Sequence, residues 1–294
     1  MRDRAVWLLR ALWFVLPLTV GPSIGAAVED LDDGNRIGVL ILAWVIWGLG
    51  LLATAVLLPV SLTVIRSLAP TPLVAAIWSM LDAEVDAIGI VGLVISVAIV
   101  AVAFSALVGD RMVDGASYGD ERRMLLRPPT RLLAGPIPLS GALAAAGLTL
   151  GPLALATGST VLGLIATIVG VPLALLAMRA LHQLSRRWIV FVPNGFVLHD
   201  LNVLTEPVLF RRTAVERIGA AIAGTPARDL TLGAAGLLIE CELTDPAPLG
   251  LRSASERGAA AKAELTDTRR FLFAPSRPGE LLDEAERRRI AVDG

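Results

Sequence analysis

Two apolar runs, Leu132 to Ala156 and Val161 to Met178, carry no ionisable side chain and are joined only by Thr157-Gly158-Ser159-Thr160. That link is long enough for a tight turn and nothing else. Each run approaches the roughly 20 residues that an α-helix needs to cross a hydrocarbon core. Only helices and closed barrels satisfy their own backbone polar groups in lipid, so the pair reads as a transmembrane helical hairpin. Arg127 and Arg131 precede it, and Arg179, Arg186 and Arg187 follow it. The bias of cytoplasmic loops towards arginine and lysine puts both open ends inside the cell and the Ser159 turn outside. The C-terminal segment is then cytoplasmic as well.

The rest of the N-terminal half agrees with a membrane chain. Hydrophobic residues make up 55% of the 294 and charged residues 18%, with a mean hydropathy of +0.69, which is unlike a soluble domain. Arg2, Arg4 and Arg10 open a first apolar stretch from about 11 to 28. Trp7 and Trp13 fit an interfacial belt. Acidic Glu29, Asp30, Asp32 and Asp33 suit the outer face. A second apolar run extends from Ile37 to Ile65, and Arg66 is read as its cytoplasmic end.

Residues 67–81 are short and contain Pro70 and Pro72, yet the acidic cluster Asp82, Glu84 and Asp86 must lie outside if the next span, Ile88 to Leu107, is to return inside. Parity therefore favours six crossings, five clear spans and a sixth short one, with five as the alternative. Both termini are expected in the cytoplasm. Within the hairpin, Gly147 with Gly151 and Ala166 with Gly170 have the four-residue spacing that allows close helix approach.

The loop from 109 to 131 holds the only tyrosine, Tyr118, with Arg122 and Arg123. It is read as a solvated connector of the membrane part, with docking on the C-terminal domain as the sharper alternative. At Arg186 the character changes. Trp188 to Val192 and Phe196 to His199 are β-rich and meet at Asn194-Gly195, a hairpin signal. Val203 to Phe210, Gly236 to Leu243 and Phe271 to Phe273 are further strand candidates. Thr213 and Glu216 have capping-box spacing, which predicts a short helix there. Residues 244–267 read as a long loop, and a last helix is expected from Pro278.

Strands closed by one helix after a membrane hairpin resemble the bacterial pleckstrin-homology-like (PH-like) domains of multi-pass membrane proteins. Trp188 to Asp200, Leu209 to Gly219 and Phe271 to Leu282 carry that resemblance. Tyr118 to Arg123 and Leu126 to Pro129 are similar to a stretch in actinobacterial multi-pass membrane proteins. The resemblance implies an α-helical membrane bundle at 1–186, with the cytoplasmic loop at 109–131, and a small cytoplasmic α+β, PH-like domain at 187–294. It brings no activity with it. Eukaryotic relatives of the fold bind lipid headgroups with a long basic loop between the first two strands. Asn194-Gly195, read as that connection, is too short to wrap a phosphate.

No catalytic constellation emerges. The two histidines, His182 and His199, stand in different segments, which leaves no histidine metal triad. His199 and Asp200 are adjacent on a strand and point to opposite faces. Lys262 is the only lysine and follows no phosphate-cradling glycine loop. Cys241, the lone cysteine, sits in an apolar run and reads as an inert buried thiol. A formal net charge of −1 gives no electrostatic reason for a nucleic-acid partner.

The expectation is a non-enzymatic inner-membrane adaptor or scaffold without cofactor. Its partners are the lipid bilayer and a protein or a second copy of itself. A transporter or lipid-handling protein is the alternative. Arg66, Tyr118, Arg122, Arg123, Arg211, Arg212 and Arg217 are the candidate interaction residues.

Overall fold

The computed structural model describes residues 2–82, 86–252 and 263–293. The chain forms two compact units, one of Met1–Met112 with Pro136–His182, the other of Val113–Gly135 with Gln183–Gly294. The 109–131 loop, expected to belong to the membrane part, thus falls almost wholly in the second unit.

The first unit is helical. In chain order it contains α1 (Arg2–Phe14), α2 (Leu16–Ala27), α3 (Asp33–Ala55), α4 (Pro59–Leu68), α5 (Pro70–Asp82), α6 (Ala87–Ala103) and α7 (Ala106–Asp114), whose last residues pass into the second unit. A short helix, α8 (Thr130–Leu133), leads to α9 (Pro136–Ala156) and α10 (Thr160–Ser185). Among the described residues five helical stretches are long and apolar enough to cross a membrane: Arg2–Ala27, Asp33–Ala55, Pro59–Leu81, Thr130–Ala156 and Thr160–Ser185. A sixth is possible if α6 and α7, bent by 56° at their junction, form one span.

Five, or six with the bent pair, are the two counts read from the sequence, but the irregular member differs. The run from Ile37 to Ile65 is cut at Val56–Leu58, because Pro59 has no N–H to continue the ladder and starts a new helix instead. Arg66 consequently lies inside the third span and does not end the second. Of the acidic cluster, Glu84 lies outside the described residues. Asp86 caps α6 by accepting from Gly89 N at 2.7 Å.

Helix breaks free carbonyls, and side chains take them up. Pro17 cannot donate to Trp13 O, which instead accepts from Trp47 Nε1 at 3.0 Å; Trp13 Nε1 returns the bond to Trp47 O at 2.9 Å. Gly50 makes room for this pair, since a Cβ there would lie 2.0 Å from the Trp13 ring. Arg10 donates to Thr54 O and Ala55 O at the end of α3, where a cation also suits the helix dipole. In the hairpin, Gly147 packs against the Gly170 backbone and Gly151 against Thr167. The turn closes as a Schellman motif: Ser159 N donates to Ala154 O and Gly158 N to Leu155 O, with Gly158 at φ +82°.

The second unit is mainly β. Strands β1 (Arg122–Leu125), β2 (Trp188–Val192), β3 (Gly195–His199) and β4 (Val208–Arg211) form an antiparallel sheet in that order. A second sheet has the order β6 (Arg228–Asp229), β8 (Ala263–Phe273), β7 (Ile239–Arg252), β5 (Val215–Ala220) and β9 (Val292–Asp293). Helix α11 (Pro278–Arg287) follows β8. One core joins both sheets and the helix; Ile189, Phe191, Phe196, Phe210, Ile218, Phe271, Phe273 and Leu281 are all almost wholly buried in it. Phe210 stacks near Phe271 with centroids 4.8 Å apart, and Phe196 lies 5.2 Å from Phe210.

Three expectations change here. The 109–131 loop supplies a sheet strand, β1, with Leu125 opposite Trp188. The segment after Thr213 forms a 3-10 turn and then strand β5, because Val215 and Ile218 are buried against β7 and the core; tertiary pairing overrides the local capping signal. Residues 244–252 and 263–267 are strand, with a register shift between Glu242 and Ala247 that accommodates Pro246. Residues 253–262 lie outside the described residues. The Asn194-Gly195 turn joins the second and third strands of the domain. Gly195 is required there, since φ is +150° and a Cβ would meet Phe210 O at 2.0 Å.

Candidate functional site

Four of the seven candidate interaction residues are engaged in holding the fold. Arg66, half-buried, donates from Nε to Ala103 O at 3.2 Å, and its guanidinium carbon lies 5.5 Å from the centre of the Phe104 ring. It thereby caps α6 at the bend before α7. Buried Asp110 on α7 is the acidic group whose charge acts on it. Arg122 lies 3.5 Å from Asp114 and 3.6 Å from Glu280, which joins the β1 segment to α11. Arg123 reaches Glu121 at 3.4 Å and lies 5.8 Å over the Trp188 ring.

Arg217 is the hub of a charged ladder on the second sheet. It bonds Glu242 at 2.9 Å and also Asp293, while Arg270 reaches Glu242 at 3.1 Å and Arg269 reaches Glu216 at 3.1 Å. The hydrogen bond from Arg217, aided by the charges of Arg270 and Arg269, holds the Glu242 carboxyl below its ordinary pKa despite some desolvation. The same contacts with Asp293 and Glu242 raise the Arg217 guanidinium further. On α11, burial opposes ionisation of Glu284, but hydrogen bonds from Arg287 and Arg288 outweigh it and keep that carboxyl low too.

Tyr118, Arg211 and Arg212 are different. Tyr118 is 86% exposed at a turn closed by Glu121 N donating to Tyr118 O. Arg211 and Arg212 are exposed at the end of edge strand β4, and no ion pair is seen for either among the described residues. Strand alternation puts Leu209, 49% exposed, on the same face as Arg211. Arg212 N donates to Asn194 O at 2.8 Å, which fixes this edge beside the β2–β3 turn. The three candidates near β4 and β5 therefore separate: Arg211 and Arg212 are accessible, whereas Arg217 is tied up by carboxylates.

Two arginines that read from sequence only as markers of the cytoplasmic ends organise the domain. Arg187 is 2% exposed and bonds Asp200, also buried, from Nε at 2.8 Å, while its Nη1 donates to Arg127 O at 2.9 Å. Arg127 in turn donates to Pro275 O at 2.9 Å, to Ala235 O and to Leu237 O. Desolvation lowers the Arg127 pKa, as expected for a guanidinium facing carbonyls without a carboxylate.

His199 and Asp200 do not cooperate. The His199 ring stacks on Trp188 at 4.7 Å and its Nδ1 lies 2.9 Å from Arg186 O, while Asp200 holds Arg187. His182 meets Thr63 at 3.0 Å in the helical unit. Cys241 is fully buried and burial raises its thiol pKa, with Glu240 and Glu242 adding to the effect. Among the described residues no group of three His, Cys, Asp or Glu side chains is placed to hold a metal ion. What remains chemically available is a surface: an edge strand with two exposed arginines and an apolar neighbour. The chain matches no protein-family model, and no significant likeness to a curated protein or to a solved structure is found.

Proposed function

We propose that this chain is a non-enzymatic multi-pass protein of the bacterial inner membrane, with cytoplasmic termini. In this reading it holds a PH-like β domain on the cytoplasmic side to recognise a partner protein or the inner leaflet. Four antiparallel strands, a second sheet on a common core and one late helix support the PH-like assignment. With β1 counted, the connection between the first two strands runs from 126 to 187 and contains both hairpin helices. Relatives of the fold place a basic loop at that position, so the Asn194-Gly195 turn no longer bears on headgroup binding there.

The carrying observation is the accessible β4 edge, where Leu209, Arg211 and Arg212 stand outside the ion-pair network that absorbs the neighbouring arginines. Affinity purification of the intact protein from native membranes tests it. A stoichiometric protein partner or a set of anionic lipids should co-purify, and Arg211→Glu with Arg212→Glu should reduce its recovery at least about tenfold, the loss of ~1.4 kcal/mol. Recovery unchanged by the double variant overturns the assignment of this edge.

A second reading, a transporter or lipid-handling protein, draws on Arg66 and Asp110 within the helical unit, since charges inside spans often mark pathways. Reaction of an Arg66→Cys thiol with a membrane-impermeant reagent favours this reading, and an inert thiol removes it.

A further inference from the structure

The second unit exposes a pair of large apolar side chains at one end of its five-stranded sheet. The β5–β7 ladder continues past Ala220 opposite Ile239 through Ala221 N donating to Leu238 O at 3.0 Å. Extending that register sets Ile222 opposite Leu237, and these side chains are 76% and 49% exposed. Exposed Ala223 and Ala235 flank them. Scattered apolar residues on a surface need no explanation, but these are tied to a particular place in the chain.

The segment that leads to Leu237 is fastened to the start of a candidate span. Ala235 N donates to Thr130 Oγ1 at 2.7 Å, and Thr130 N donates to Gly233 O at 3.3 Å. Thr130 is the first residue of the span Thr130–Ala156. Arg127, three residues earlier, clamps the carbonyls of Ala235 and Leu237. The same end of the domain receives the chain from the other hairpin helix: Leu126 N donates to Arg187 O at 2.9 Å, two residues after α10 ends at Ser185. Leu133 in α8 is 51% exposed, and Arg131 and Arg186 are exposed beside these two connections. Apolar side chains in a segment tied to the connections that carry Arg131 and Arg186, where one span begins and another ends, have the composition of an interfacial contact.

We infer that the Ile222–Leu237 pair, with Leu133, is seated in the headgroup–acyl boundary of the bilayer that the hairpin crosses, with Arg131 and Arg186 at the phosphates. This rests on the reading of a membrane-held β domain and adds the surface by which that domain is seated.

Fluorophore labelling of full-length protein in phosphatidylglycerol–phosphatidylcholine vesicles tests the inference, using Ile222→Cys, Leu237→Cys and two reference variants. Buried Cys241 leaves the native background low. Leu265→Cys, 74% exposed, is the distal reference. It lies eight residues from Phe273 along β8, about 26 Å at ~3.3 Å per residue. Leu139→Cys reports the span itself. Lipids with a shallow nitroxide should quench labels at 222 and 237 more than about twofold over 265, as a contact ~5–10 Å deep requires. Quenching at 222 and 237 equal to that at 265, with 139 quenched, overturns the inference and leaves the membrane domain standing. An unquenched 139 overturns both.

Discussion

The two units complete their backbones by opposite routes. In the helical unit three breaks strand carbonyls, and a donor from another helix arrives to meet each: Trp47 for Trp13, Arg10 for Thr54 and Ala55, Arg66 for Ala103. Close packing there depends on side chains that are missing, as at Gly50, Gly147 and Gly151. In the β unit the strand ladders use up most backbone groups, and the interior is filled by large rings from Phe191, Phe196, Phe210, Phe271 and Phe273. Arginine is common to both. Arg10 and Arg66 cap helices, while Arg127 and Arg187 lock strand ends. An arginine near a lipid surface is therefore weak evidence for a headgroup site until its backbone contacts are known.

The contrast breaks most visibly at Arg187. Arg187→Ala leaves Asp200 buried without its partner and should destabilise the β unit by about 3–5 kcal/mol. Loss of hydrogen-exchange protection in β2 and β3 should report that destabilisation while the helical circular dichroism persists. If both signals fall together, the units are not separable. A smaller effect is expected at Gly147. Gly147→Leu pushes into Gly170 O, 2.2 Å from the Cβ position, and should cost about 1–3 kcal/mol in a detergent unfolding titration. The same substitution at exposed Gly224, with open space around its Cβ position, tests only its φ of +80°.

Removing one interhelical donor is milder still. Trp47→Phe keeps the ring but deprives Trp13 O, and about 0.6–1.7 kcal/mol should be lost in the same titration. No change would mean that the freed carbonyl finds another donor. The least dramatic test is acidification of the β unit. Glu242 and Glu284 ionise more readily folded than unfolded, so their contribution is present above the ordinary carboxyl value of about 4.3. It disappears as pH falls through their lower folded values. Glu242→Gln with Glu284→Gln should flatten the acid limb of the stability curve, followed by hydrogen exchange in β2 and β3. An unchanged limb would assign acid sensitivity to other carboxylates.

Much of this layout was legible in the residues. The charge-free runs around Thr157–Thr160, the Asn194-Gly195 hairpin and the helix from Pro278 depend on local rules, and all three appear. Close approach of Gly147, Gly151 and Gly170 followed from spacing alone. What failed depended on distant partners. Arg122 to Leu125 is only four residues long and becomes a strand because β2, more than sixty residues later, pairs with it. The Thr213–Glu216 signal was real locally but lost to the pull of the core on Val215 and Ile218.

Of the candidate interaction residues, Arg211 and Arg212 stand exposed at the β4 edge, whereas Arg217 is held by carboxylates of the second sheet. Nothing in a single sequence says which carboxylates stand across a sheet from an arginine. Proline was the one available clue to a stranded carbonyl: Pro17 identifies Trp13, and Pro59 identifies Ala55.

The position of β1 has a consequence for biogenesis. The ribosome delivers Met124, Leu125 and Leu126 before the final two helices, yet their partners in β2 and their core neighbours emerge only afterwards. The nascent β1 segment must wait, apolar and unmated, until the chain beyond both hairpin helices has been made. The β domain thus closes only after both hairpin helices have been synthesised, and a C-terminal fragment from residue 183 would lack one edge of its first sheet.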